Sequence, residues 1–87
     1  MKKLKLGMTV ITPAAKDAIP TSEVMKALAR HESGDWGESC EHDKAVNDEA
    51  LMTGGRIMSV YKYNGIRFWI ITEHDRSVTT ILMPSDY

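Results

Sequence analysis

The sequence has little of what marks most specialised small proteins. Its 87 residues include one cysteine, Cys40, so no internal disulfide can form. Aromatic residues are 7% of the chain, and the longest apolar run is Phe68-Trp69-Ile70-Ile71. That run is far short of the ~18 residues a spanning helix needs, which excludes a membrane helix. An excess of one charge sign is also missing. Net charge is -1 and the sequence pI is about 6.3, so nothing draws the whole chain to nucleic acid or to an anionic membrane. No glycine-rich phosphate loop or dinucleotide fingerprint occurs, and no cofactor is expected. Met1-Lys2-Lys3-Leu4-Lys5 is not followed by the apolar stretch of a secretory leader. With the lone cysteine, this leads to the expectation of a cytoplasmic protein, and the length to one small domain over residues 1–87.

What is present is an ordinary folding composition, 43% apolar and 26% charged, that excludes disorder and a coiled-coil rod. The charge is segregated. Residues 1–30 carry six basic and two acidic side chains, residues 32–49 one basic and seven acidic, and residues 50–87 four basic and three acidic. A chain this short buries roughly 60–65% of its unfolded surface, which keeps a homodimer among the expectations.

Residues 6–12 are rich in β-branched and apolar side chains and stop at Pro13, which predicts a first strand. Thr12-Pro13 can open a short helical turn, but Pro20 interrupts it, so a start at Thr21 or Ser22 is the more economical reading. The first helix is expected over residues 22–31, with Val24, Met25, Ala27 and Leu28 on its buried face. Residues 32–41 read as a loop. A second helix follows over residues 42–53, with Val46, Ala50 and Leu51 inward and Gly54-Gly55 as its stop. Asn64-Gly65 is the strongest local signal, because both residues tolerate positive φ in a two-residue hairpin turn. The turn sets the register, with Tyr63 opposite Ile66, Tyr61 opposite Phe68, Ser59 opposite Ile70 and Ile57 opposite Thr72. On the other side it pairs Val60 with Trp69, Met58 with Ile71, and Arg56 with Glu73. A last strand over residues 78–83 ends at Pro84. The expected fold class is therefore α+β in the order β-α-α-β-β-β, with two short helices on one face of a mainly antiparallel sheet. The opposite face must then be partly wet or meet a partner.

Four groupings have residue types that can do chemistry. His31, Cys40 and His42 lack the paired or helical spacing of a zinc site, so scattered histidines are the plainer reading and no metal is expected. Cys40 lies among Glu38, Glu41 and Asp43, which disfavour a thiolate. A metal-independent ribonuclease would need a base, an acid and a cation, and His31, Glu73, Arg76 and Arg56 supply those types. The structural reading of the same residues is that Glu73 pairs with Arg56 across the hairpin while Asp75-Arg76-Ser77 makes a turn. Gly34-Asp35-Trp36-Gly37 is the most unusual tetrapeptide. Its tryptophan either plugs the edge of the core, the favoured reading, or anchors a partner together with Asp35, backed by the acidic block. Asp75 and Arg76 join Asp35 and Trp36 as candidate partner contacts.

His31-x-x-Gly34-Asp35-Trp36-Gly37, then Asp43, Asn47, Arg56, Ser59 and Tyr61, then Trp69 through Ser77 with Thr79-Thr80 and a closing Pro84-x-x-Tyr87, resembles a family of small bacterial proteins. These are often labelled "plasmid-related protein" and occur on plasmids, prophages and other mobile elements. The resemblance covers nearly the whole chain. It implies a genomic setting in which host defence or plasmid maintenance is commonly modulated, and it implies no reaction. His74 stands where that pattern carries a small residue. The element order is also similar to the RelE/ParE toxin fold, whose ribonuclease members cut messenger RNA, but the acidic segment at 32–49 argues against docking on ribosomal RNA. The leading expectation is a non-enzymatic interaction protein of a mobile element that binds a protein partner. The alternative is a RelE/ParE-like ribonuclease or a degenerate relative. A homodimer, pairing edge to edge through residues 69–73 and 78–81, is the third.

Overall fold

The computed structural model describes residues 3–87; Met1 and Lys2, the first two residues of the stretch read as lacking a leader, lie outside the described residues. The chain runs β1 (Met8–Ile11), α1 (Pro13–Ala18), α2 (Thr21–Glu32), α3 (Glu41–Thr53), β2 (Ile57–Tyr63), β3 (Ile66–Thr72) and β4 (Val78–Leu82), then a closing 3-10 turn, Pro84–Asp86. The four strands form one sheet in the order β1-β4-β3-β2, antiparallel except where β1 runs parallel to β4. The fold is α+β, with the helices on a mostly antiparallel sheet.

The hairpin is the part most tightly dictated by local sequence. Asn64 and Gly65 take φ of 49° and 82°, and the resulting register pairs all seven positions from Ile57↔Thr72 to Tyr63↔Ile66 as the two-residue turn requires. Arg56 and Glu73, next along, form an ion pair at 3.9 Å. Pro13 opens a helix of its own, because the Thr12 hydroxyl accepts from the Ala15 amide at 3.2 Å and the missing N–H of a first-turn proline costs nothing. The chain thus has three helices where two were expected, and Pro20 separates α1 from α2 instead of cancelling α1.

One sheet face carries the core. Tyr61, Phe68, Ile70 and Ile81 pack with Ala15 and Ile19 of the α1 segment and with Val24 and Ala27 of α2. Leu4, Trp36, Ala50 and Ile57 form a second cluster beneath α3. The expected face of α2 is buried through Val24 and Ala27, with Leu28 packed against the core, and Ala50 of α3 is inward as expected; the other expected positions differ. Met25 is exposed, and on α3 the inward positions are Asn47 and Ala50 while Val46 and Leu51 face outward. The cause is that α3 serves the free edge of β2. The Asn47 amide donates to the Met58 carbonyl at 2.8 Å, and its oxygen accepts from the Met58 amide at 3.3 Å. Val60, two residues on, exchanges bonds with the loop, its amide donating to the Trp36 carbonyl and its carbonyl accepting from the Glu38 amide at 2.7 Å. The outer side of β2 is thereby satisfied without a fifth strand. On the face away from the helices, Met58, Val60, Trp69 and Thr80 are half-buried, and Tyr87 meets Trp69 edge-on with ring centres 5.5 Å apart.

Candidate functional site

His31, the candidate acid or base, lies in the last turn of α2 with no exposed surface. Both ring nitrogens are engaged, Nδ1 with Ser59 Oγ at 2.5 Å and Nε2 with Thr72 Oγ1 at 2.8 Å. The proton positions follow from the far end of the chain of bonds. The Leu6 carbonyl can only accept, so Thr79 donates to it at 2.7 Å. Thr72 must then donate to Thr79 at 2.8 Å, and Thr72 Oγ1 accepts from His31 Nε2–H. Nδ1 is left to accept from Ser59, which makes the ring a neutral Nε2–H tautomer. Burial, and then the nearby Arg76 charge, push its pKa down from 6.5 to about 4. The relay joins five segments of the chain through groups that are otherwise expensive to bury, and no buried side-chain polar atom among the described residues lacks a partner. His31 is a bracing residue of the core, and no substrate reaches it in this conformation.

The other catalytic candidates lie elsewhere, Arg76 bonded to main-chain carbonyls and Glu73 with Arg56 in a partly exposed pair. Arg76 sits at φ 60° and spends its guanidinium on main-chain carbonyls, Nη1 donating to Gly55 at 2.6 Å and Glu73 at 3.1 Å, and Nη2 to Ala50 at 2.9 Å. It closes the C-terminal end of α3, where a cation also complements the helix dipole. Glu73 meets Arg56 on the sheet face opposite His31, and Arg56 also donates to the Tyr87 hydroxyl at 2.8 Å and lies over its ring. Asp75 accepts from the Ser77 amide at 3.0 Å and from its hydroxyl at 2.6 Å, and these bonds hold its carboxyl below the usual range. The 72–77 corner is thus the turn that the structural reading describes.

The Gly34-Asp35-Trp36-Gly37 loop is a joint between α2, α3 and β2. Arg30 donates through Nε and Nη2 to the two Asp35 oxygens at 2.7 and 3.3 Å, which pulls the Asp35 carboxyl below its usual range. Asp35 also accepts from the Gly37 amide at 3.1 Å, and its carbonyl takes the Tyr61 hydroxyl at 2.6 Å. Burial drives the Tyr61 pKa up to about 12. Gly37 has φ 67°, and a Cβ there would lie 2.0 Å from the Val60 carbonyl oxygen, so only glycine lets the loop bridge to β2. Trp36 is 3% exposed and donates through Nε1 to Asp48 at 2.8 Å. The plug reading describes this ring, and an anchor role for Trp36 is corrected by its burial. Asp35 keeps an exposed side chain, already shared with Arg30. The loop and the 72–77 corner therefore build the fold on separate terms and do not bring His31, Glu73, Arg56 and Arg76 together on an open surface.

The edge-to-edge dimer through residues 69–73 and 78–81 is also corrected, since β3 and β4 are both interior strands. Sequence reasoning missed where the open edge lies. Among the described residues no strand covers the outer side of β1, and all four of its residues are exposed. A groove of about 240 Å³ runs between β1 and α2, walled by Ile11, Ile19, Val24, Met25 and Leu28 with Lys16 beside them. The signal available was the apolar content of residues 8–11 next to a helix with an unpaired Met25. Among the described residues no group of histidine, cysteine and acidic side chains gathers as a metal-ligand set, and no helix is long and apolar enough to cross a membrane. No family model, curated protein or solved structure matches the chain.

Proposed function

We propose that this chain is a non-enzymatic interaction protein that binds a protein partner in the bacterial cytoplasm, in the setting of a plasmid, prophage or other mobile element. The setting rests on the family resemblance of the sequence. The non-enzymatic reading rests on one observation: His31, wholly buried and bonded at both nitrogens, is separated from the Arg56–Glu73 pair by the sheet itself. A ribonuclease needs its base, acid and cation around one phosphate, and here the buried histidine and the surface pair of Arg56 and Glu73 lie on opposite faces of the sheet. An open strand edge and an apolar groove remain, which are features of a surface that meets other chains.

The test is affinity capture of the tagged protein from bacterial lysate after nuclease treatment, together with incubation of the purified protein with RNA. The expected result is a stoichiometric protein partner and intact RNA. RNA cleavage abolished by Glu73→Gln or Arg76→Ala would overturn the reading in favour of the ribonuclease alternative.

A further inference from the structure

The chain has two asparagines, Asn47 and Asn64, and the fold places them in opposite settings. Asn47 is 4% exposed inside α3, and its side-chain amide is bonded on both sides to the Met58 backbone. Asn64 is the first residue of the hairpin turn and is followed by Gly65, the residue type with least bulk around its nitrogen. Both are exposed, and among the described residues neither the Asn64 side chain nor the Gly65 amide has a hydrogen-bond partner. A Cβ on Gly65 would meet nothing within 4 Å, so the space beside that nitrogen is open.

Asparagine is a thermolabile side chain, and one with an accessible amide nitrogen next along the chain can close a succinimide ring. The Gly65 nitrogen gives up its proton to solvent base and attacks Asn64 Cγ. The bond between that nitrogen and Cγ forms, the bond from Cγ to Nδ2 breaks, and Nδ2 takes up a proton and leaves as ammonia. Water then opens the ring. Addition at Cγ breaks the new bond and gives aspartate, whereas addition at the main-chain carbonyl breaks the original link to Gly65 and leaves the chain running through the side-chain carbon as isoaspartate. Ring closure takes the Asn64–Gly65 peptide out of its turn geometry, so it proceeds when the tip of the hairpin opens, and an exposed tip opens more readily than a buried helix. The register sets Lys62 directly opposite Arg67, one pair back from the turn and both exposed, with Arg67 shared with Glu38 at 3.5 Å. The excess positive charge there favours the amide anion and the carboxylate products.

We infer that Asn64-Gly65 is a self-modification site, at which the protein converts its own hairpin turn to aspartate and isoaspartate while Asn47 persists. The two products differ in effect. Aspartate keeps the backbone and tolerates the left-handed conformation as asparagine does, so it changes the charge alone. Isoaspartate adds a main-chain carbon to a turn whose two-residue length sets the register of β2 and β3, and so loosens the strands that bring Tyr61, Phe68 and Ile70 to the core.

The test is incubation of the full chain at physiological temperature in mildly alkaline buffer, followed by peptide mass spectrometry with fragmentation that separates isoaspartate from aspartate. Conversion at Asn64 at least about tenfold faster than at Asn47 is expected, as for an exposed turn against a buried helix. Isoaspartate should be among the products, and conversion should slow in mildly acidic buffer, where the amide anion is scarcer. The isoaspartate fraction, isolated by ion exchange, should melt at least about 4 °C below the fresh parent. Fresh Asn64→Asp, which carries the charge on an unaltered backbone, should melt near the parent, and Asn64→Gly should keep its melting temperature through the incubation. Conversion at Asn64 no faster than at Asn47, aspartate as the sole product, or an isoaspartate fraction that melts with the fresh parent would overturn the inference. So would a loss of melting temperature in incubated Asn64→Gly equal to that of the parent, since it would place the change at another residue.

Discussion

Lowering the pH from 7.5 to 4 should destabilise this protein in proportion to the burial of one histidine. His31 is neutral in the folded state and held there by burial, with its pKa pushed down to about 4 from 6.5. In the unfolded chain it protonates near 6.5. Between those values the unfolded state binds the additional proton, so unfolding free energy rises with pH; the loss begins as pH falls below 6.5 and is complete near 4. At about 1.4 kcal/mol per pH unit, the gap amounts to roughly 3 kcal/mol. A domain of this length has on the order of 4–13 kcal/mol in all, so the melting temperature should fall by about 10–25 °C across the window. Ser59 can turn its hydroxyl to accept from a protonated Nδ1, which means the cost is that of a buried cation with Arg76 as its nearest charge and not of a broken hydrogen bond. The acidic groups act in a different window. Asp35 and Asp75 have carboxyls held below the usual range by Arg30 and by Ser77, so their contribution is present above the ordinary carboxylate pKa and is lost only at lower pH. The assay is thermal unfolding from pH 7.5 to 4 for the parent and for His31→Gln, which keeps a donor for Thr72 and an acceptor for Ser59. NMR titration of the His31 ring is read alongside. The parent should show the slope and the variant should lose it. A His31 ring that titrates near 6.5, or a slope that survives in the variant, would refute the assignment of a buried neutral imidazole.

Three substitutions test how the fold is held. Asn47→Ala leaves the Met58 amide and carbonyl without their side-chain partner and reopens the β2 edge; it should cost about 1–3 kcal/mol in urea unfolding and increase self-association at high concentration. Gly37→Ala places a methyl group 2.0 Å from the Val60 oxygen at a positive φ, and should cost more than about 2 kcal/mol, with Asn64→Gly as a control that leaves the hairpin stable. Trp36→Ala empties the second core cluster and removes the indole hydrogen bond to the exposed Asp48; a loss of about 3–5 kcal/mol is expected, while Trp36→Phe should recover most of it if packing outweighs that bond.

The hairpin register was legible because the turn carries its own geometry: two residues that accept positive φ leave only one way for Arg56 and Glu73 to meet. The α3 face was not legible from hydropathy. Val46, Ala50 and Leu51 form the obvious stripe, yet the helix turns Asn47 inward because an unpaired strand edge needs an amide more than the core needs another aliphatic chain. Periodicity counts apolar groups and has no access to where a neighbouring backbone is left unsatisfied. The same limit applies to the candidate site. His31, Ser59, Thr72 and Thr79 are scattered over the sequence and include a residue type associated with catalysis, but their distances and burial make them a relay inside the core. Trp36 followed its simplest reading, since a large ring flanked by glycines in a small protein finds more stabilisation under α3 than in water. The parallel pairing of β1 with β4, which creates the open edge, depends on a connection through three helices and the β2–β3 hairpin that no local pattern encodes.

Hydrogen–deuterium exchange on the chain alone and on the chain bound to its captured partner puts the account to its most direct test. Slowed exchange over one contiguous exposed surface, with residues 31–37 and 72–77 unchanged, is the result predicted for an interaction protein whose loop and corner serve the fold. Protection confined to the 31–37 loop and the 72–77 corner would contradict it.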